Sequence, residues 1–254
     1  MENMSNSNFP SSIKSILIFG AMNVETEYMV SKLSDVKKTE IGGYPFFEGN
    51  FSGKKIIVCR TFTGMENSAA ATAIGILNFS PDCIISQGTA GGHDPLLHKK
   101  DIVIGERLVN ISSFKTNRYG KGEGIHPTEW EIKDWDLFEG DEKEKDVPCL
   151  YSNSSLVDLA MATEYKNGNL VKGTISSSNN WNMEMDRINH LVETYGSTCE
   201  EMESYAATQI ANRFNIPSLT IRIISNSEQH PGEEYERTTG QLCQEFVLDV
   251  VKKL

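Results

Sequence analysis

Carboxylates at two places in the sequence could carry out proton-transfer chemistry. Glu25 lies in the segment GAMNVETE, directly after the apolar run 15–19, while Glu200, Glu201 and Glu203 lie together in CEEMES, at the predicted start of a helix. A positioned carboxylate can take a proton from a nucleophile or give one to a leaving group. Acidic residues are also common in the first turn of ordinary helices, because the helix dipole favours negative charge there. Each cluster alone therefore allows a catalytic and a structural interpretation.

Two further polar clusters follow predicted strands. QGTAGG, residues 87–92, offers backbone N–H groups and the Thr89 hydroxyl to a ribosyl oxygen or an anion, although such a stretch can equally be a glycine turn. Arg222 stands inside the apolar run IRII, which Ser225 and Asn226 terminate. A buried Arg requires acidic partners, which the carboxylate clusters would supply, whereas an Arg on an edge strand can extend its charge into water.

Alternating strand and helix patterns place the four clusters at one edge of a sheet. The sequence predicts an α/β fold with a central mixed, mostly parallel sheet and helices on both faces. Pro45 restricts the segment 41–51 to an edge strand at best. Ligands of open α/β sheets bind beyond the carboxyl ends of strands, where the clusters lie. The predicted strands are 15–19, 54–60, 83–86, 101–105, 170–177 and 218–225, and the predicted helices are 66–79, 154–164, 183–195, 204–214 and 240–252.

Length and composition suit one globular domain. Of the 254 residues, 39% are hydrophobic and 23% are charged, close to ordinary globular values. We predict a disordered polar segment over 1–13 and a single domain over 14–254. No apolar run reaches the ~20 residues of a membrane span, and the first residues lack the basic and apolar regions of a secretory signal.

Net charge and cysteine content narrow the partners and the compartment. The formal net charge of −11 would repel nucleic acid and favours a small, neutral or cationic ligand. Five widely spaced cysteines without a CxxC pair argue against a disulfide framework and a zinc site. The phosphate-loop patterns GxxxxGK[ST] and GxGxxG are absent from the first strand–helix turn. We expect a cytoplasmic protein with no metal and no cofactor, bound neither to nucleic acid nor to a membrane.

The order and spacing of the four clusters resemble those of the purine nucleoside phosphorylase and nucleosidase superfamily. Within it, GAMNVE, GTAGG, EEMES and RIISN are most similar to the motifs of the methylthioadenosine/S-adenosylhomocysteine nucleosidase branch. The resemblance covers roughly Ile16 to Phe246. It implies a three-layer α/β/α fold and a small-molecule purine nucleoside as the substrate.

The resemblance also implies a role for individual residues. Glu25 would position and activate a water molecule with the help of Thr89 and Arg222, and Glu203 would hold ribose hydroxyls. Residues 177–181, SSNNW, resemble the family segment that stacks on the base, a contact that the Trp side chain preserves. The remaining predicted substrate-binding residues are Met22 and Met202 against the sugar and its 5' substituent, Trp181 on the base, and Ala90, Gly91, Asn180, Glu201 and Ser225 around them.

One position departs from the family pattern. Where the family has an Asp that protonates the leaving purine, this chain has Asn226. An amide does not donate a full proton at neutral pH, so an adenine leaving group would lose assistance worth about 10²–10⁴ in rate. An amide both donates and accepts hydrogen bonds, which suits a 6-oxopurine. The 6-oxopurine phosphorylases and futalosine hydrolases of the superfamily are similar in using an Asn at a comparable place.

Three functions remain open on the sequence. The leading hypothesis is a nucleosidase that hydrolyses the N-glycosidic bond of a purine nucleoside, with or without a 5' substituent. The second is a 6-oxopurine nucleoside phosphorylase, but residues 20–30 contain no cation and present Glu25, which would repel phosphate. The third is a catalytically impaired nucleoside-binding protein, because Asn226 replaces the general acid.

The resemblance further implies a homodimer in which a loop of one chain completes the 5' pocket of its neighbour. That loop would fall within 110–130, with Phe114, Tyr119 and His126 as candidate lining residues. The acidic segment 131–146 departs from the short family pattern, and we interpret it as a solvated loop rather than a lid.

Overall fold

A ten-stranded mixed sheet forms the centre of the computed structural model, which describes residues 12–133 and 149–254. Its strands, together with a separate two-stranded sheet of β7 and β8, are β1 Ser15–Gly20, β2 Ser34–Ile41, β3 Tyr44–Phe51, β4 Lys54–Arg60, β5 Cys83–Gly92, β6 Ile102–Asn110, β7 Phe114–Lys115, β8 Glu131–Ile132, β9 Leu150–Tyr151, β10 Leu170–Ser177, β11 Ser197–Glu201 and β12 Ser218–Ser227. The α-helices are α1 Glu27–Ser31, α2 Met65–Phe79, α3 Ser154–Met161, α4 Met185–Tyr195, α5 Ser204–Arg213 and α6 Thr239–Lys253, and short 3-10 turns lie at Asn23–Glu25 and Pro127–Glu129.

The strand order is β11-β10-β6-β12-β5-β1-β4-β3-β2, with β9 paired to β6. Parallel pairings join β11 to β10, β10 to β6, β12 to β5, β5 to β1 and β1 to β4. Antiparallel pairings join β6 to β12, β4 to β3, β3 to β2, β6 to β9 and β11 to β5. The predicted α/β class with a mixed sheet is confirmed, and within the described part of the ten-stranded sheet five pairings of strands are parallel and five are antiparallel.

Strand β5 bends part of the sheet back on itself. Along its first half it pairs with β1, from Cys83 to Ser86, and near its end Gly91 and Gly92 pair instead with β11. The strands β5, β12, β6, β10 and β11 therefore form a closed ring of hydrogen-bonded neighbours. The ring brings the carboxyl ends of β5, β11 and β12 together, although these strands are far apart in sequence.

The two faces of the sheet bury separate hydrophobic clusters. In β1, Ile16 and Ile18 pack in a cluster with α3 and α6, while Leu17 and Phe19 pack in another with α2 and α5. Side chains alternate between faces along a strand, so a continuous apolar run such as β1 indicates a strand covered on both sides. Each of these fully buried side chains contributes about 1.5–3 kcal/mol to folding.

The prediction for the segment 41–51 is wrong. Its residues 44–51 form β3, which lies between β4 and β2 rather than at the edge. Pro45 is tolerated because it pairs only with Glu40 of β2, whereas pairing with β4 begins one residue later, at Phe46. The edge strand is β2, which the sequence did not predict because its mostly exposed residues, SDVKKTEI, lack an apolar face.

Two of the polar clusters lie in strands where the sequence predicted other structure. The predicted turn over 87–92 is extended, since β5 continues to Gly92. Glu200 and Glu201 belong to β11 and not to the start of a helix, which begins only at Ser204. Gly196 makes this possible, because its positive φ of 66° ends α4 and turns the chain into β11.

Some predictions fall on residues outside the described ranges. They concern the N-terminal segment 1–13, of which the structure describes only residues 12 and 13, and the acidic segment 131–146, of which it describes only 131–133. Within the described ranges, no helix is long and apolar enough to cross a membrane.

Candidate active site

A cavity of about 290 Å³ opens at the carboxyl ends of β1, β4, β5, β11 and β12. Its volume is close to the lower end of the range of small-ligand pockets, about 300–1,000 Å³. Its lining residues are Ala21, Met22, Glu25, Thr63, Thr89, Ala90, Gly91, Asn180, Trp181, Glu200, Glu201, Met202, Glu203, Ser225, Asn226 and Tyr235.

Four donors hold the carboxylate of Glu25. Its Oε2 accepts the backbone N–H groups of Ala21 at 2.8 Å and Met22 at 3.0 Å. Its Oε1 accepts the backbone N–H of Thr89 at 2.8 Å and the Thr89 hydroxyl at 2.9 Å. Because Glu25 is only 3% exposed, these bonds fix both the place and the plane of the carboxylate.

Two elements position the backbone around Glu25: strand β5, which approaches it closely at Gly88, and helix α6, which contacts it through Gln244. A Cβ atom at Gly88 would lie 2.7 Å from Glu25 Oε1, so only a glycine lets β5 come this near. On the other side, Gln244 of α6 accepts the backbone N–H of Met29 at 2.9 Å and donates to the carbonyl of Val24 at 2.7 Å. These contacts join the β1–α1 turn to the core.

Arg222 and Glu201 form a buried ion pair beneath the cavity. Arg222 is 2% exposed, and its guanidinium donates to Glu201 through Nη2 and through Nε at 3.1 Å. Burial opposes both charges, but Arg222 and hydrogen bonds from Ser177 and Ser204 hold the pKa of Glu201 below its ordinary value. Burial likewise opposes the charge of Arg222, yet Glu201 and Glu203 raise its pKa. The structure therefore rules out an Arg222 side chain that extends into water.

Glu203 is the second carboxylate near this guanidinium. Its Oε1 accepts the backbone N–H of Gly64 at 3.0 Å, and its Oε2 lies 3.7 Å from Arg222 Nη2. Burial, followed by the charges of Glu201 and Glu25, raises the pKa of Glu203 to about 8, although Arg222 acts in the opposite direction. At neutral pH the Glu203 carboxyl therefore holds a proton for most of the time, and it can donate as well as accept a hydrogen bond.

Asn226 closes the cavity at the end of β12. The hydroxyl of Ser225 lies 3.0 Å from Asn226 Oδ1, to which it donates, and 3.2 Å from the carbonyl of Ala90. This arrangement leaves Nδ2 of Asn226 directed toward Gly91. A Cβ atom added at Gly91 would lie 3.5 Å from Nδ2. The amide is 6% exposed and is oriented before any ligand binds.

Aromatic side chains stand at the mouth of the cavity. Trp181 is 54% exposed and meets Tyr235 edge to face, with 6.2 Å between the ring centroids. Burial, followed by the negative charge of Glu25, raises the pKa of Tyr235. An exposed Trp beside a cavity offers a flat apolar surface to a ring-shaped ligand.

A family model of the phosphorylase superfamily matches residues 15–254 of the chain. The chain belongs to this superfamily. Among its curated relatives, the 5'-methylthioadenosine/S-adenosylhomocysteine nucleosidase of Halalkalibacterium halodurans is 29% identical over 244 residues, which cover 93% of this chain and 97% of the relative.

Solved structures share the superfamily fold with this chain. The 5'-methylthioadenosine/S-adenosylhomocysteine nucleosidase of Neisseria meningitidis, in complex with methylthio-immucillin-A, superposes with a TM-score of 0.78 at 22% identity, covering 95% of this chain and 100% of the other. A futalosine hydrolase mutant from Helicobacter pylori gives a TM-score of 0.77 at 22% identity, with the same coverage. At this identity the likeness shows the fold alone.

This phosphorylase-superfamily chain brings almost all of its predicted site residues around one cavity. Of the thirteen, twelve line it, and Arg222 lies directly beneath, joined to Glu201 and Glu203. Phe114, Tyr119 and His126, which were predicted to line the pocket of a neighbouring chain, do not line the cavity of their own chain. Phe114 packs against Trp130 and under Arg187, and the rings of Tyr119 and His126 are in tilted contact. No group of three or more potential metal ligands occurs in the described ranges.

Four lining residues were not predicted from the sequence: Ala21, Thr63, Glu200 and Tyr235. Glu200 belongs to the acidic cluster CEEMES, but in the sequence it could not be distinguished from an ordinary acidic residue at the start of a helix. Thr63 and Tyr235 lie in loops whose path depends on the strands that they connect. Ala21 contributes the backbone N–H that holds Glu25.

Proposed function

We propose that the chain is a purine nucleosidase, which hydrolyses the N-glycosidic bond of a purine nucleoside to the free base and a ribose derivative. The observation that supports this most strongly is the Glu25 carboxylate, held by four donors inside the cavity. The names of the curated relatives, methylthioadenosine and S-adenosylhomocysteine nucleosidases, agree with it and extend the proposal to 5'-substituted nucleosides.

In this proposal water attacks C1' while the bond from C1' to the base nitrogen breaks. Three of the donors to Glu25 are backbone N–H groups, and the fourth is the Thr89 hydroxyl. A water molecule takes the place of this hydroxyl, and its oxygen bonds to C1' as it gives one proton to Glu25. The base leaves with the electron pair of the broken bond and takes a proton from solvent water, to which Glu25 then returns its own. The carboxylates of Glu25 and Glu201 stabilise the positive charge that develops on the ribosyl group.

The sugar and the base would occupy opposite ends of the cavity. Glu203 would hold the ribose hydroxyls, and Met22 and Met202 would contact the sugar and its 5' substituent. Trp181 would stack on the base, with Asn226 at its edge. Ala90, Gly91, Asn180 and Ser225 complete the lining between these groups.

Charge in the cavity argues for water rather than phosphate as the nucleophile. The lining residues include four Glu and no Lys or Arg in the described part of the chain. Arg222 lies within ion-pair distance of both Glu201 and Glu203, so its charge is already balanced. A phosphate dianion would meet a net negative surface.

Incubation of the purified protein with inosine, methylthioadenosine and S-adenosylhomocysteine, each with and without phosphate, tests the proposal. We expect free base and a free ribose derivative in phosphate-free buffer, separated and quantified by chromatography. Turnover that requires phosphate and yields a ribose 1-phosphate would show that the chain is a phosphorylase.

Asn226 is the residue that favours a catalytically impaired binding protein as a second candidate. An amide cannot replace a general acid, and Nδ2 is its only polar atom directed toward Gly91. The substitution Asn226→Asp separates the two. If Asn226 limits the enzyme to bases that leave without full protonation, Asn226→Asp raises kcat on adenine nucleosides by about 10²–10⁴, and the wild type still cleaves inosine. No base release from any nucleoside by the wild type would support the binding protein.

The homodimer and the cytoplasmic location belong to the same proposal. The segment 110–130 lies away from the cavity of its own chain, and it exposes Tyr119 and Ile125, at 44% and 79%. Such side chains suit a contact with a second copy, whose 5' pocket the segment would complete. All five cysteines are free thiols, which supports a reducing compartment.

A further inference from the structure

One carboxylate in the cavity has no role in the proposed hydrolysis. Glu200 lines the cavity and is only 6% exposed, yet it does not contact Glu25 or Arg222. In the described ranges, Nε2 of His93 lies 3.4 Å from Glu200 Oε2 without the alignment of a hydrogen bond. A buried carboxylate that faces a ligand cavity requires an explanation, because its desolvation is costly.

The sheet places Glu200 beside Asn226. Gly91 of β5 is the register partner of Glu200 on β11 and of Asn226 on β12, so the three residues stand side by side across the closed ring of strands. A Cβ atom at Gly91 would lie 3.8 Å from Glu200 Cγ and 3.5 Å from Asn226 Nδ2. Because Gly91 has no side chain, the space between the Glu200 side chain and the Asn226 amide is open to a ligand.

Local contacts hold the Glu200 carboxylate in place. Asn182 donates its backbone N–H to Oε1 at 2.7 Å and its side-chain amide to Oε2 at 2.6 Å. Behind the carboxylate, His93 is buried and hydrogen-bonded through Nδ1 to Ser197 at 2.8 Å. The Glu200 carboxylate is therefore fixed at the cavity wall, and each of its oxygens keeps a second lone pair that can accept a further hydrogen bond.

The pair formed by Glu200 and Asn226 matches the edge of one class of purine. Asn226 Nδ2 is a donor and the Glu200 carboxylate is an acceptor, and the two side chains line the same cavity on either side of Gly91. A 6-oxopurine carries the complementary order, with the O6 acceptor next to the N1–H donor. Adenine carries the reverse order, an amino donor next to the N1 acceptor, and so it would oppose donor to donor and acceptor to acceptor.

We propose that Glu200 determines specificity by accepting the N1–H of a 6-oxopurine base while Asn226 donates to O6. This inference rests on the proposed nucleosidase function and defines its substrate class. His93 and Asn182 act as positioning residues, because they touch Glu200 and not the base.

Comparison of inosine with 1-methylinosine, which lacks the N1 proton, tests the proposal directly. A hydrogen bond to a charged group is worth a factor of about 10 to 100 in binding, so we expect kcat/KM for inosine to exceed that for 1-methylinosine by this factor. In Glu200→Gln we expect kcat/KM for inosine to fall to near the 1-methylinosine value. We expect kcat/KM for adenosine, which is already low in the wild type, to show no such fall. The matched control is Glu164→Gln on the surface, which should leave all three values unchanged.

Two results would overturn the proposal. One is equal cleavage of inosine and 1-methylinosine by the wild type. The other is an equal loss on all three nucleosides in Glu200→Gln, which would indicate a structural role. If no nucleoside is cleaved, the nucleosidase function fails, but calorimetric binding of the free bases still decides about Glu200. Tighter binding of hypoxanthine than of 1-methylhypoxanthine, abolished in Glu200→Gln, would support the inference, and equal binding would refute it.

Discussion

The carboxylate oxygens of Glu25 are in contact with four hydrogen-bond donors, and these donors determine which side chains can replace Glu25. The backbone N–H groups of Ala21 and Met22 meet one carboxylate oxygen, and the N–H and hydroxyl of Thr89 meet the other. Such an environment suits an acceptor-only carboxylate and no other side chain of this shape. A Gln amide would satisfy one pair of donors and oppose its NH2 group to the other pair.

We therefore expect Glu25→Gln to lower kcat by about 10²–10⁴, the usual loss when a positioned general base is removed. The measurement is release of free base in phosphate-free buffer, and binding of the free base by calorimetry serves as the control for a folded cavity. A variant that binds the base normally and retains kcat within a few-fold of the wild type would contradict the role of Glu25.

The raised pKa of Glu203 makes stability depend on pH in a defined direction. In the folded protein this carboxyl titrates near pH 8, whereas an ordinary carboxyl titrates near 4.5, so the folded state binds the proton more tightly between these values. Stability contributed by this group is complete below about pH 4.5 and falls as the pH rises toward 8. Above pH 8 the group is ionised in both states and the loss is constant.

Glu203→Gln removes this titration, so its Tm relative to the wild type should increase from pH 5 to pH 8 and then stay level. Each 1 kcal/mol corresponds to about 2–4 °C in a chain of this size. Thermal denaturation at several pH values measures the effect, with Glu164→Gln on the surface as a pH-independent control. Parallel Tm profiles for the wild type and Glu203→Gln would show that Glu203 is an ordinary carboxyl.

Among the elements, β5 connects the two ends of the site. Its middle, at Gly88 and Thr89, approaches Glu25, and its end, at Gly91, separates Asn226 from Glu200. The strand can do both because it changes partner from β1 to β11 along its length. The position of one strand therefore sets the distance between the carboxylate proposed to handle water and the groups proposed to hold the base.

Two alanine substitutions in β5 should have opposite outcomes. In Gly88→Ala the new Cβ would lie 2.7 Å from Glu25 Oε1 and 3.2 Å from Arg222 Nη1, so we expect a loss of about 1–3 kcal/mol in stability and a lower kcat. In Gly91→Ala the nearest atom is 3.5 Å away, and Tm should remain near that of the wild type. Thermal denaturation and base release measure both. If Gly88→Ala kept the Tm and the kcat of the wild type, the observed position of the Glu25 carboxylate would not be required for stability or activity.

At the scale of the whole molecule, the proposed dimer should be visible as a particle of twice the chain mass in light scattering or sedimentation. Ile125 is 79% exposed in the segment proposed to reach the neighbouring site, so Ile125→Asp should produce monomers by burying a charge at the contact. We expect the monomers to lose kcat/KM on 5'-substituted nucleosides more than on inosine. A wild-type monomer with full activity on a 5'-substituted inosine would exclude the dimer as a component of the site.

Much of the fold was predictable because apolar runs and their spacing are local properties. The strands β4 and β10 were predicted with their observed bounds, and helices such as α2 and α5 within a residue. The errors occurred where a strand is recognised only by its neighbours. Nothing in SDVKKTEI reveals that β3 lies beside it, and nothing near Pro45 reveals that pairing with β4 starts one residue later.

The sequence by itself determined which residues gather at the site. Four short motifs in order supplied ten of the predicted cavity-lining residues and the buried Arg222 beneath them, and the segment SSNNW supplied Asn180 and Trp181. Only the tertiary structure decided what each acidic group does. Glu200, Glu201 and Glu203 are the same residue type in the sequence. In the structure Glu200 lies beside Asn226, Glu201 pairs with Arg222, and the pKa of Glu203 is raised to about 8. The physical reason is that burial, charge and hydrogen-bond partners depend on distances that residues far apart in sequence acquire only on folding.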